Sequence, residues 1–210
     1  MSREILETKN RQGLNLIERA LLAALFLAIL FSFTGFAVRC EDVSQEVLRL
    51  HVLANSDSEE DQELKLQVRD RILQEGAGLL DGVKTLEEAE QVVTEALPRL
   101  TQAAQDEIFS RGYDYPVSLT LEDVSFTTRQ YEEITLPAGV YRALQVRIGS
   151  GEGHNWWCVM FPSLCLPAAE EPAKLEDVLT PEELEIVESG GYEVRFQVLE
   201  WVEELGHMME

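Results

Sequence analysis

Glu46 to Asp61, EVLRLHVLANSDSEED, contains the change of period that decides how this chain folds. From Glu46 to Ala54 the residues alternate, with Leu48, Leu50, Val52 and Ala54 on one side and Arg49, His51 and Leu53 on the other. That is the pattern of a strand with one face in a core. Asn55-Ser56-Asp57-Ser58 then gathers side chains that bond nearby backbone amides, which predicts a turn, and Ser58 followed by Asp61 reads as the cap of a helix. The helix is expected over Glu59 to Gly76, with Leu64, Val68, Ile72 and Leu73 on its packing face and Lys65, Arg69 and Arg71 among the acids of its polar side.

Downstream, Gly76, Gly78 and Gly82 interrupt the chain, and Thr85 with Glu88 forms a capping box before an amphipathic helix to about Phe109. Pro98 lies inside that pattern, so either a kink or two helices meeting at Leu97 is expected, with Gly112 as the stop. Three strands are expected next, Tyr115 to Phe126, Val140 to Ile148 and Asn155 to Phe161, with Gly149 to Gly153 suited to a hairpin loop. Glu170 to Glu176 reads as a polar loop. Thr180-Pro181-Glu182-Glu183 opens a short helix that ends at Gly190-Gly191, and Tyr192 to Trp201 reads as a strand passing into a helix. The order predicts an α+β domain, with helices packed on one face of a mostly antiparallel sheet.

Upstream lies a segment with its own composition. Arg3, Lys9, Arg11 and Arg19 precede an uncharged run from Ala20 to Val38. That run exceeds the usual signal-peptide core of about 7 to 15 residues and just reaches the roughly 17 to 25 needed to span a bilayer. Gly35-Phe36-Ala37 offers small residues where a signal peptidase reads, so cleavage after Ala37 and retention as an anchor are both open. Residues 1–40 are thus expected to be a signal peptide or signal anchor, and 41–210 an extracytoplasmic domain, because the positive flank stays inside. Arg39 immediately before Cys40 speaks against lipidation of that cysteine.

The whole chain carries 39 Asp plus Glu against 17 Lys plus Arg, for a net charge of −22. Since its leading segment is positive, the exported part is more acidic still. Nucleic acid and anionic head groups are therefore excluded as partners of the domain, because both bind through positive charge. A membrane contact is expected only through the N-terminal apolar segment.

His154, Asn155, Trp156, Trp157, Cys158 and Cys165 crowd one short stretch. His154, Cys158 and Cys165, with His51, would make a zinc set, but the cysteine spacing is not that of a finger or ribbon. A thiol hydrolase using Cys158 or Cys165 with His154 or His51, oriented by Asn155 or Asp57, is the enzymatic alternative, although no local signature surrounds either cysteine. Outside the cytoplasm nearby cysteines tend to oxidise, so a Cys158–Cys165 disulfide is preferred over free thiols and over zinc. An extended run between them would separate the cysteines by about 23 Å, whereas a disulfide needs Cα atoms about 5.5 Å apart, so the chain must turn, at Pro162-Ser163. Trp156 and Trp157 are adjacent in a strand and point to opposite faces, so either one fills the core while the other anchors a partner, or both are buried. No metal and no cofactor are expected.

Leu50 to Gln62 with Leu64-Lys65-Leu66 and Val68-Arg69-Asp70, together with His154 to Pro162 and Leu164-Cys165, closely resembles the stage II sporulation protein R family. The resemblance implies an exported signalling protein, not an enzyme, made in the forespore and sent into the space between forespore and mother cell. Its implied partner is a membrane-embedded aspartic protease, which then cleaves the precursor of the mother-cell sigma factor E. The resemblance brings no catalytic residues with it. Two regions dense in unusual polar and aromatic residues are the candidate partner-binding sites: Asn55 and Asp57 in the first, and His154, Asn155, Trp156 and Trp157 in the second.

Overall fold

A computed structural model describes residues 2–131, 134–162 and 174–188. It divides into two units, Met1–Arg39 and Cys40–Glu210. Helix α1 (Ser2–Gln45) provides the first unit with its residues up to Arg39, and its stretch from Leu16 is long and apolar enough to cross a membrane.

In the second unit, strand β1 (Leu48–Leu53) is followed by α2 (Glu59–Glu75), α3 (Leu86–Ser110), β2 (Val117–Phe126), β3 (Arg129–Tyr131) and β4 (Ile134–Leu136). Then come β5 (Gly139–Ile148), β6 (Asn155–Phe161), α4 (Leu175–Val178) and α5 (Pro181–Glu188). The main sheet has the order β2-β5-β1-β6, with β1 parallel to β5 and the other two pairings antiparallel. This is the α+β architecture that the element order predicts.

The sheet has a core on each side. Leu48, Leu50 and Val52 face α2 and α3, where Leu64, Val68 and Ile72 meet Val93, Leu100 and Ile108. The opposite side packs Val43, Val47, Phe126, Tyr141 and Val159 under Ile134 and Leu136 of the β3–β4 hairpin and Val187 of α5. A strand with one buried face is therefore corrected to a strand buried on both, since β1 lies between two partners and beneath two layers. Arg49 is fully buried, with its guanidinium 3.9 Å from the Phe126 ring centre and 4.8 Å from that of Tyr141, and it donates to the Tyr131 hydroxyl. Charge dispersed over aromatic faces is what lets this cation lie in a core.

Three further expectations change. Of the two outcomes open at Pro98, two helices are ruled out: α3 runs on through it, at a place where Pro98 and Thr94 are both exposed, so that water can satisfy the carbonyl the proline leaves unpaired. Lys65 lies not on the polar side of α2 but 5% exposed beneath the sheet's end. Leu175 and Glu176, read as loop, belong to the single turn of α4. Thr180 and Glu183 do cap α5 reciprocally. The end of that helix and the strand expected from Tyr192 to Trp201 lie outside the described residues.

Candidate functional site

The connection from β5 to β6 builds the site. Gly149 to Gly153 reads locally as a hairpin loop, but β5 and β6 are not neighbours, since β1 lies between them. Because β5 runs parallel to β1 and β6 antiparallel to it, the connector must cross the end of β1, where the Asn55–Ser58 turn leaves. Two strand spacings, about 10 Å, have to be bridged. The connector does so in contact with the turn. The N–H of Gly153 donates to the Ala54 carbonyl at 2.9 Å, and the Ser150 hydroxyl donates to the Asn55 carbonyl at 2.7 Å.

Two glycines make this approach possible. At Gly149, φ is +58° and a Cβ would lie 2.2 Å from the Asn55 amide oxygen; at Gly153 a Cβ would lie 2.2 Å from the Ser56 carbonyl oxygen. No larger residue fits either place without moving the turn.

Asn55 joins the two segments. Its amide oxygen accepts from the Ser150 N–H at 3.0 Å, and its NH2 donates to Asp61 at 2.8 Å. Asp61 is 4% exposed and also accepts from the Ser56 hydroxyl at 2.5 Å. Burial pushes its carboxyl up, but the bonds from Ser56, Asn55 and Tyr115 outweigh that and hold it below the ordinary carboxylate range. Half of the expected helix cap forms: Ser58 accepts from the Asp61 N–H, while the Asp61 carboxylate turns back into the loop.

Asp57 and His154, 97 positions apart, meet at the surface. Asp57 accepts from the His154 backbone N–H at 2.6 Å and from its ring Nδ1 at 2.5 Å. The imidazole bond, with the backbone bond, holds the Asp57 carboxyl below its usual range. Both side chains are largely exposed, His154 at 78% and Asp57 at 57%. From below, the Lys65 ammonium donates to the His154 carbonyl at 2.9 Å and to Gln62 at 2.6 Å, and burial pushes it down.

The tryptophans leave β6 on opposite faces, as the strand period predicts. Trp156, half-buried, packs against the α2–α3 core with the Arg69 guanidinium 4.6 Å from its ring centre. Trp157, also half-buried, stacks on His51 at 3.8 Å between ring centres and meets the Phe126 ring at 4.6 Å. His51 is buried beside Gln145. Burial pushes its imidazole down to about 4, the Asn155 side chain opposes the shift, and Arg147 and Arg49 add to it. This histidine is neutral at physiological pH.

These positions bear on the thiol chemistry. Cys158 pairs in register with Leu50 and lies in the α2–α3 core, whereas His51 is on the other face of the sheet. His154 is four strand positions from Cys158, about 13 Å. Neither histidine reaches that sulfur, for proton transfer or for a shared metal. Cys165, and with it the expected disulfide, lies outside the described residues.

Of the predicted site residues, Asn55 is committed to the fold, while Asp57, His154 and Asn155 are exposed and the two tryptophans half-exposed. Sequence reading missed Lys65, Asp61 and Ser150, which hold the two regions together. The spacing Gly149-x-Gly151-x-Gly153 was the one available signal, since such a run also marks backbone passing close to backbone.

Residues 44–171 match the family model described as stage II sporulation protein R. A protein of that name from Bacillus subtilis (strain 168) is 32% identical over 185 residues, spanning 78% of this chain and 83% of the relative. No solved structure matches. With both of its signature segments inside the matched region and folded against each other, the chain belongs to the stage II sporulation protein R family.

Proposed function

We propose that the protein is an exported sporulation signal that works as a ligand and not as an enzyme. Carried across the membrane by α1, as a cleaved signal or as an anchor, it acts in the space between forespore and mother cell. There it activates a membrane-embedded aspartic protease, which removes the pro-segment of the sigma factor E precursor. Family membership supports the sporulation role, and the apolar helix supports export.

The observation that carries the reading is the union of the two remote motifs at one end of the sheet. Hydrogen bonds hold a compact relief there, with Asp57, His154 and Asn155 outermost and Trp156 and Trp157 set beside them. A ligand acting across a narrow gap needs a preorganised surface of this kind, since ordering mobile groups on binding costs affinity. A Cys158–Cys165 disulfide belongs to the same proposal, as a clamp on the far end of β6. It is checked by mass mapping of the unreduced protein.

His154→Ala should fold with an unfolding midpoint within a few degrees of the parent, Trp156→Ala should fold with a lower one because it leaves the edge of the α2–α3 core, and each should lower precursor cleavage at least tenfold, about 1.4 kcal/mol of binding. Folded variants that process the precursor at the parental rate would remove this surface from the receptor contact.

A further inference from the structure

The second face of the sheet, next to the joined loops, holds Asn155 and Trp157 of the proposed contact together with side chains that this contact does not use. Strand register places Arg147 and Asn155 outermost, with Thr120, Gln145, His51 and Trp157 in the row behind them. Arg147, Asn155 and Thr120 are exposed. Arg147 donates to Gln145 at 3.0 Å, Gln145 lies 3.5 Å from His51, and His51 stacks on Trp157. The exposed Arg129 guanidinium is 5.7 Å from the Trp157 ring centre. The face is continuous with the Asp57–His154 surface, because Asn155 follows His154 in the chain.

Its charge is opposite to the net charge of the chain. Among the described residues, Arg69, Arg71, Arg99, Arg111 and Arg142 each pair with a carboxylate, and all lie elsewhere. Arg49, Arg129 and Arg147 have no carboxylate partner among those residues, and all three belong to this face: Arg49 beneath it, the other two on it. Among the described residues of the main sheet, register places one acid here, Glu122, at the edge strand opposite Ala143. In a chain with 39 acids and 17 bases, unneutralised guanidinium groups on one sheet face, with Arg129 near the Trp157 ring, are a segregated positive patch. A long polyanion would meet the repulsion of the surrounding acidic surface, whereas a short acidic segment would not.

We propose that this face receives an acidic peptide segment of the partner protein, with Arg129 and Arg147 pairing its carboxylates and Trp157 packing against the residue beside them. The proposal rests on the signalling role above and names the chemistry of the partner's contact. Arg is suited to it, since its planar fork pairs carboxylates bidentately and stacks on rings.

The test uses the full chain, co-reconstituted with the receptor protease in vesicles and captured by affinity purification. Arg129→Glu with Arg147→Glu should lower capture at least tenfold, and raised salt should weaken the parent more than that variant. Arg129→Lys with Arg147→Lys, which keeps the charge but loses the fork, should recover part of the capture lost in the double Glu variant, and Arg111→Glu, at the C-terminal end of α3, should behave as the parent. Equal capture of the parent and the double Glu variant would overturn this proposal alone. Failure of the parent itself to be captured would overturn the signalling role, and this proposal with it. Self-association of the chain that the double Glu variant abolishes would reassign the face to a second copy and overturn the partner. Should the charge reversal impair folding, Arg129→Gln with Arg147→Gln replaces it, with the same outcomes.

Discussion

Gly153→Ala is expected to destabilise the domain that follows the apolar helix by up to about 3 kcal/mol, the upper end of the usual cost of forcing extra atoms into a packed site, and to abolish signalling in the protein that still folds. The added methyl would lie 2.2 Å from the Ser56 carbonyl oxygen and 2.5 Å from its carbon, both backbone atoms that no rotamer change can clear. The connector must lift from the turn. Its bond to Ala54 breaks first, and the Asp57–His154 contact follows, since His154 is the next residue. Gly139→Ala is the matched control. Its Cβ would meet Tyr141 at 3.6 Å, an ordinary contact, so stability and signalling should stay near the parent's. Denaturant unfolding of both variants, with precursor cleavage measured on each, checks the pair.

Asp61→Ala carries the other large effect, about 3 kcal/mol, because hydrogen bonds to a buried carboxylate contribute roughly 1.5–3 kcal/mol each and their donors are left unpaired. Asn55 and Ser56 both lose their acceptor. The substitution also has a pH signature. The folded carboxyl is held below its ordinary value of 3.8, so its contribution is complete above that pH and is lost as pH falls through 3.8 toward the folded value. The difference between parent and Asp61→Ala should therefore be full at pH 7 and shrink in acid. Urea unfolding of both proteins at pH 7 and near pH 3 measures it; a gap that is unchanged in acid would mean that Asp61 is not held ionised by these bonds.

Much of the fold can be read from local pattern, because the period of two in β1 and the caps at Ser58 and Thr85 are decided within a few residues of themselves. What could not be read depends on neighbours remote in sequence. Arg49 and His51 look like the wet side of a strand, since alternation records polarity and not the aromatic rings of Phe126, Tyr141 and Trp157 that cover them. Lys65 looks like a surface lysine until the His154 carbonyl, 89 positions away, arrives above it. The glycine-rich connector looks like a hairpin because its local chemistry is the same. Only the insertion of β1 between β5 and β6 turns it into a crossing. The two candidate regions were identifiable as unusual stretches, but their union was not, because it follows from strand order.

A ligand acts through its folded surface, so the domain beyond the apolar helix is expected to trigger the protease by itself. Residues 40–210, freed from the apolar helix and added to vesicles holding the receptor protease and the sigma factor precursor, test it most directly. The expected result is precursor cleavage that depends on the added domain and is lost with Gly153→Ala. An intact precursor in the presence of folded domain, under conditions where the full chain triggers cleavage, would contradict it.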